Sequence, residues 1–375
     1  MKRTVSLALI MGLIPLFSTA MSGCDPASRT GSAEVEEKPA NIIFLIGDGM
    51  GLSAVSAGFY FGEQPSRFNR FRHIGLIRTS SFTHKVTDSA ASGTAMASGK
   101  KTYNGAIGVD TTVTPVRNIA EIVAGVGWST GVISTSSVTH ATPASFYAHV
   151  ERRNMEEKIA EQLVGSEIDF FAGGGTRFFG MRGDGRDLLA EAVEHRIRID
   201  TTGMPGSLEY DENSRYGFLL AATGMPPKHA GRNDFLPRAT GLAIQFLSGD
   251  PDGFFLMVES SQIDWAGHDN DQEYLVAEML DFEQAIGEAL DFAEKDGNTL
   301  VVVCADHETG GATLAAGTGD PEMNDPAAVH YTFATGGHSA TLIPVFAFGP
   351  GAEEFMGIYE NTEIFHRMAH LLEQP

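Results

Sequence analysis

The sequence predicts an α/β fold: a three-layer sandwich with a central, mostly parallel β-sheet flanked by helices. Three observations lead there. Residues 41–46, 130–134, 253–258 and 299–304 form short, almost continuously apolar runs, with 345–348 as a further candidate. Runs of this kind are strands buried on both faces, as parallel strands are. Helical patterns lie between them, at 119–124, 155–163 and 275–293, the last with apolar residues at three- and four-residue spacing. Strand and helix in alternation is the order of a parallel sheet with crossover helices. The third observation is that Asp48, Glu259, Asp306 and His307 fall at the ends of apolar runs. In open α/β sheets, ligands bind outside the carboxyl ends of the strands, so these residues are expected on one rim.

The first 38 residues read differently. Lys2 and Arg3 precede an apolar stretch over 7–17, followed by Met21-Ser22-Gly23-Cys24. Charge, apolar core and small residues is the order of a secretory signal. Small residues ending on Cys resemble a bacterial lipoprotein signal, so residues 1–23 are expected to be removed and Cys24 lipidated. Residues 24–38 carry Ser, Gly, Pro and acidic side chains with no apolar period, and read as a flexible tether. Residues 39–375 are expected to form a single folded domain. The location implied is outside the cytoplasm, periplasmic or at the cell surface, with membrane contact only through the lipid anchor at Cys24.

Composition narrows the function. Of 375 residues, 42% are apolar, enough for a large core, and no apolar stretch of spanning length follows the leader. The net charge is −22, from 48 acidic and 26 basic residues. A surface this acidic argues against non-specific nucleic-acid binding, which needs a basic stripe. Cys304 sits in an apolar run and reads as a buried thiol.

Several short motifs carry chemistry. Asp264-Trp265-Ala266-Gly267-His268 spaces a carboxylate and an imidazole four apart, which on a helix offers both to one ion. Alone, such a pair is more often a surface pair. Asp306-His307-Glu308-Thr309-Gly310-Gly311 follows an apolar run, and buried carboxylates need partners. Gly336-Gly337-His338 adds a third histidine. Asp48, Asp264, His268, Asp306, His307 and His338 form a mixed Asp/His set that suits zinc and suffices for two ions. Two close metals are a recurrent solution for phosphoryl transfer. Ser89 precedes a plausible helix, where the positive end of the dipole favours both a nucleophile and a bound phosphate. Taken singly, Asp88 or Ser89 is more often only a helix cap. Two near misses drop out. Gly93 to Lys101 lacks the spacing and hydroxyl of a P-loop, and Gly47-Asp48-Gly49-Met50-Gly51 lacks the dinucleotide spacing.

Residues 86–94, Val-Thr-Asp-Ser-Ala-Ala-Ser-Gly-Thr, resemble the active-site signature of the alkaline phosphatase family at every position. Asp48 in Gly-Asp-Gly, the Asp264/His268 pair, residues 306–311 and Gly337-His338 follow in the family's order, so the resemblance runs from about 41 to 359. It is nearest to compact bacterial members, including cold-active marine enzymes. The resemblance implies a phosphate monoester hydrolase that acts through a phosphoserine. Ser89 would be the nucleophile. Asp264, His268 and His338 would hold one zinc; Asp48, Asp306, His307 and Ser89 would hold a second. Thr142 and Glu259, with Asp48, would hold magnesium. Arg153 would clamp phosphate, with Arg152 as its neighbour in register. His140 and Trp265 stand where the best-known enterobacterial form has Asp and Lys, which bears on magnesium affinity and phosphate release. A homodimer is implied too. Phosphodiesterases and sulfate-ester hydrolases share this metal architecture; the Arg153 clamp favours a monoester dianion. A lipid-tethered phosphate-binding protein without turnover would have no use for Ser89.

Overall fold

The computed structural model describes residues 39–320, 325 and 327–373. The expected leader, Cys24 and tether lie outside the described residues.

Among the described residues, ten strands form one sheet in the order β14-β2-β13-β8-β1-β7-β3-β4-β6-β5. They are β1 (Asn41–Gly47), β2 (His73–Arg78), β3 (Ser129–Ser137), β4 (Phe170–Gly174), β5 (Ile197–Asp200), β6 (Arg215–Leu219), β7 (Phe254–Ser260), β8 (Thr299–Cys304), β13 (Ile343–Phe348) and β14 (Gly357–Glu360). β13 alone runs against the rest, since it is antiparallel to both β8 and β2, while every other pairing is parallel. The remaining strands, β9 (Glu308–Thr309), β10 (Thr313–Ala316), β11 (Val329–Thr332) and β12 (His338–Ser339), make two small antiparallel pairs, β9 with β12 and β10 with β11.

The centre of the sheet is where the apolar runs are. Every residue of β1, β3, β7 and β8 is buried, as a strand covered by helices on both faces must be. Helices Phe235–Leu247 and Gln272–Asp296 pack on each other and on the sheet; Ser89–Ser98, Ile119–Ala124, Ala141–Ala144 and Thr362–Glu373 form a second group. None of the described helices is long and apolar enough to cross a membrane.

Asn41 sets the register at the start of the central strands. Its Oδ1 accepts from Phe254 N at 3.2 Å and its Nδ2 donates to Thr299 Oγ1 at 3.1 Å. At the other end, Ile46 pairs with Glu259 of β7 on one side and Cys304 of β8 on the other. Asp48 and Asp306 each come two residues beyond that level. One expectation needs correction: Glu259 does not follow its strand but is the sixth residue of β7, so these four donors come from the ends of two strands, β1 and β8, and from within a third.

Five strands of the sheet were not among the expected runs: β2, β4, β5, β6 and β14. They are short, broken by glycine or half-exposed, as in Phe170–Gly174 (FFAGG) and Ile197–Asp200 (IRID). Helix Phe235–Leu247 was missed as well; its Pro237 falls in the first turn, where no intrahelical N–H is required.

Candidate active site

Apart from Met96, helix Ser89–Ser98 is made of small residues, and the whole helix is buried. Its N-cap is Asp88, whose Oδ1 accepts from Ala91 N at 3.1 Å. Capping is therefore done by Asp88, and the Ser89 hydroxyl is left to face the rim, 3.3 Å from His307 Nε2. Gly99, at φ +69°, closes the helix in the left-handed conformation that glycine adopts without strain.

Around Ser89 the structure gathers donors from the ends of β1 and β8, from β7, from helix Gln262–Asp269 and from the β9/β12 pair. The ligating atoms of Asp48, Asp306 and His307 lie within 4.8 Å of one another, as do those of Asp264, His307 and His338, and those of Asp48, His140 and Glu259. His268 joins the second group: its Nε2 is 3.3 Å from Asp264 Oδ1 and 3.2 Å from His338 Nε2. Thr142 Oγ1 lies 3.5 Å from Asp48 Oδ2. His307 stands between the first two groups, its ring stacked on that of His338 with centroids 3.6 Å apart.

The outer nitrogens of these rings are spoken for. His268 Nδ1 is 2.8 Å from Gly336 O, and His338 Nδ1 is 2.9 Å from Thr87 O. A carbonyl only accepts, so both rings carry a proton on Nδ1 and turn Nε2 inward, the nitrogen whose lone pair a cation would take in place of a proton. His307 Nε2 likewise lies 3.4 Å from Asp48 Oδ1 and 3.2 Å from Asp306 Oδ2. Lone pairs thus face carboxylate oxygens. Among the described residues, the buried atoms Asp48 Oδ1, Asp306 Oδ2 and Glu259 Oε1 have no hydrogen-bond partner. Inward lone pairs and orphaned carboxylate oxygens are what cations satisfy, so the residues present fit metal ions.

Electrostatics point the same way. Burial, then the field of Asp306, Asp264 and Glu259, holds the Asp48 carboxyl well above its ordinary range. Glu259 is pushed up to about 7, first by burial. Asp306 is pushed up to about 6 by burial and by Asp264. Burial acts on Asp264 in the same sense, but the His338 hydrogen bond, the field of His307 and the Thr309 hydroxyl outweigh it and hold that carboxyl low. His307 is lowered to about 3 by burial and then by His338. Without cations, Asp48, Glu259 and Asp306 hold protons past their ordinary range, and Asp264 does not.

Arg153 is half-buried at the rim. Its Nη1 lies 3.2 Å from Asp88 Oδ2 and its Nη2 donates to His140 Nε2 at 3.1 Å. Arg152 is exposed, so Arg153 is the one that turns into the site. His140 is lowered to about 3 by burial and by Arg153. It packs edge-on to Trp265, with centroids 6.5 Å apart. Trp265 in turn rests on Gly224, where a Cβ would come within 2.7 Å of its ring.

Sequence reasoning missed several members. Asp88 orients Arg153 besides capping the helix. Ser134 and Ser261 each donate to Glu259 Oε2 at 2.5 Å. Ser92 Oγ donates to the Asp306 carbonyl at 2.7 Å and accepts from Asn361 Nδ2 at 2.9 Å. Glu308 anchors the β9/β12 pair by accepting from Ser339 Oγ and from Ala312 N. The signal for Ser134 was present: β3 has six Ser or Thr in nine residues, all buried, an unusual composition unless the hydroxyls have work.

An α/β sheet with a serine set among inward-facing carboxylates and imidazoles defines the class: a protein that uses cations at the carboxyl edge of its strands. The family model for alkaline phosphatase matches residues 39–325. Alkaline phosphatase 3 of Bacillus subtilis (strain 168) is 33% identical over 447 aligned residues, spanning 97% of this chain and 95% of its own length. The alkaline phosphatase of Escherichia coli (strain K12) is 31% identical over 406, spanning 89% and 86%. Among solved structures, alkaline phosphatase from the Antarctic bacterium TAB5 superposes with a TM-score of 0.87 at 52% identity, over 90% of this chain and 99% of that one. A variant of that enzyme with one His replaced by Asp has been solved with Mg bound in its M3 site. The chain belongs to the alkaline phosphatase family.

Proposed function

We propose that this protein hydrolyses phosphate monoesters to an alcohol and inorganic phosphate through a phosphoserine on Ser89, with two zinc ions and one magnesium ion. The observation that carries the reading is the free Ser89 hydroxyl, relieved of capping by Asp88 and held 3.3 Å from His307 Nε2 beside Asp48 and Asp306. Asp264, His268 and His338 would hold one zinc, and Asp48, Asp306 and His307 the other. Glu259 and Thr142, with Asp48, would hold magnesium; His140 stands beside them, its one lone pair taken by Arg153 Nη2. The magnesium-loaded variant of the TAB5 enzyme supports a third cation of this kind. When bound, the cations supply positive charge that favours the Ser89 alkoxide and offsets charge on the phosphate and the leaving oxygen.

The chain's own residues then do the following. Asp88 and His140 hold Arg153 so that its planar fork can take two non-bridging phosphate oxygens. Ser89 Oγ attacks phosphorus in line; the Oγ–P bond forms as the bond to the alcohol oxygen breaks, and the alcohol leaves with a proton. Water then attacks the phosphoserine from the vacated side, the Oγ–P bond breaks and inorganic phosphate departs. Two inversions give net retention at phosphorus.

Ser89→Ala tests this. Acid-quenched wild type incubated with labelled substrate is expected to carry phosphate on Ser89, and the variant none; label on another residue refutes the assignment. Turnover of p-nitrophenyl phosphate is expected to exceed that of its bis-ester and sulfate analogues. The reverse order favours a diesterase or sulfatase, and phosphate binding without turnover favours a binding protein. Undiminished activity after complete metal removal would sink the scheme. The reading places residues 39–375 as one catalytic domain, exported, tethered by a lipid at Cys24 and paired as a homodimer. The leader supports the export and the lipid tether, and family resemblance supports the pairing.

A further inference from the structure

Thr309 is 3% exposed and sits where the three donor motifs meet. Its backbone N donates to Gly49 O at 3.1 Å, which ties it to the loop that carries Asp48. In the β9/β12 pair it stands directly opposite His338. Its hydroxyl donates to Asp264 Oδ1 at 2.5 Å and lies 3.2 Å from His307 Nδ1. One hydroxyl thus touches a member of the Asp264/His268/His338 group and a member of the Asp48/Asp306/His307 group.

The proton inventory fixes the direction of both contacts. The Thr309 hydroxyl has one proton, and a carboxylate oxygen accepts it. Its lone pairs remain for His307, so His307 must carry its proton on Nδ1. The His307 Nε2 lone pair then faces Ser89, Asp48 and Asp306, at 3.3, 3.4 and 3.2 Å.

The glycines of the flanking motifs make room for this. A Cβ on Gly49 would lie 2.8 Å from Thr309 Oγ1 and 2.7 Å from Asp264 Cα. A Cβ on Gly267 would lie 3.0 Å from both Thr309 Cβ and Cγ2. Glycine at these positions lets the loop after β1 and helix Gln262–Asp269 close on Thr309 from two sides.

We propose that Thr309 is a positioning residue that couples the two zinc groups: its hydroxyl orients Asp264 for one ion and sets the tautomer and ring plane of His307 for the other. The inference rests on the metal assignment above. Partners of metal ligands of this kind are worth roughly 10- to 100-fold in metal affinity.

The test uses the full chain with Thr309→Val, Thr309→Ala and Thr309→Ser, each stripped and titrated with zinc against a competing chromophoric chelator, and with cobalt(II) for the visible spectrum. Thr309→Val and Thr309→Ala are expected to weaken both of the tight sites, each by roughly 10- to 100-fold, and to change the cobalt spectrum. Thr309→Ser, which keeps the hydroxyl and loses the methyl on Gly267, is expected to bind as wild type does. Should Val not fold at this buried position, the Ala and Ser pair carries the comparison. Wild-type affinity in the Ala or Val variant overturns the proposal. So does weakening confined to one site, and so does a Ser variant as weak as the Ala variant, because packing rather than the hydroxyl would then be responsible. A wild-type protein that binds no zinc overturns the metal reading itself, a result distinct from all of these.

Discussion

Glu259→Gln should have opposite effects on the metal-free and the metal-loaded protein. Glu259 is fully buried, Ser134 and Ser261 donate to its Oε2, and its Oε1 has no partner among the described residues. Its pKa is raised from 4.5 to about 7 in the fold, first by burial and also by the charge of Asp306. The unfolded chain therefore gives up this proton at a lower pH than the folded one. The stability that the protonated side chain contributes is complete below about 4.5, declines as pH rises, and is lost once pH passes about 7. At about 1.4 kcal/mol per pH unit, the loss amounts to roughly 3 kcal/mol. Glutamine stands in for the protonated form at every pH, and its amide oxygen can accept from both serines. The chelator-treated variant should thus match wild type near pH 4.5 and exceed it by roughly 3 kcal/mol at pH 8, about 6 °C in Tm at some 2 °C per kcal/mol. Loaded with metal, the same variant lacks a charged donor for magnesium and should bind it more weakly. Thermal unfolding followed by far-UV circular dichroism, at both pH values and with and without metal, reads all four cases. A difference between variant and wild type that does not change with pH in the stripped protein refutes the reasoning.

Two other perturbations separate neighbours. Arg153→Ala removes a charged hydrogen-bonding partner of the phosphate and should raise the inhibition constant for inorganic phosphate roughly 10- to 100-fold. Arg152→Ala, on an exposed side chain, should leave it unchanged; equal effects from the two would show that the rim orientation of Arg153 does not matter. Gly224→Ala places a Cβ 2.7 Å from the Trp265 ring and should displace the ring against His140. A lost aromatic contact of about 0.5–1 kcal/mol corresponds to roughly a 2- to 5-fold change in phosphate inhibition; no change at all removes Trp265 from the phosphate site.

What could be read in the sequence was whatever is local in the chain. β1 and β8 announce themselves as apolar runs because both faces are covered, and the donors that follow them are adjacent in sequence. The Asp264/His268 spacing needs only a helix to bring both onto one side, and Gln262–Asp269 is that helix. Contacts across the chain were not legible. Asp88 and Arg153 meet over 65 residues, and Thr309 and Asp264 over 45. Neither Asp88 nor Thr309 has a local pattern that separates its role from capping or turn formation. The choice between Arg152 and Arg153 depends on where the segment after β3 is pinned to the loop before it, at Gly105, whose carbonyl accepts from Arg153 N at 2.7 Å. The outer strands escaped for another reason: at a sheet's flanks a strand is covered less completely, so its apolar run is shorter and its pattern mixed.

The metal cluster also changes how the fold and the chemistry are related. Asp48, Glu259 and Asp306 are all completely buried and all raised, because isolated charges out of water are costly. The stripped protein relieves that cost by retaining protons, whereas the loaded protein relieves it with cations. Metal binding and proton release are then one equilibrium. Affinity should climb as pH rises from about 5 and level off once Glu259 and Asp306 give up their protons, leaving only the more strongly raised Asp48. Proton release measured in weakly buffered zinc and magnesium titrations at pH 6 and pH 9 checks this: more protons should appear at the lower pH. His307 and His140 cannot contribute, since both are held near 3 and are already neutral at pH 6; His338 does, because burial pulls it down but its hydrogen bonds to Asp264 and Thr87 outweigh that and raise it, so it has a proton to release. The pH dependence of the assembled site is therefore expected to originate in its raised carboxyls together with His338, while His307 and His140 stay silent.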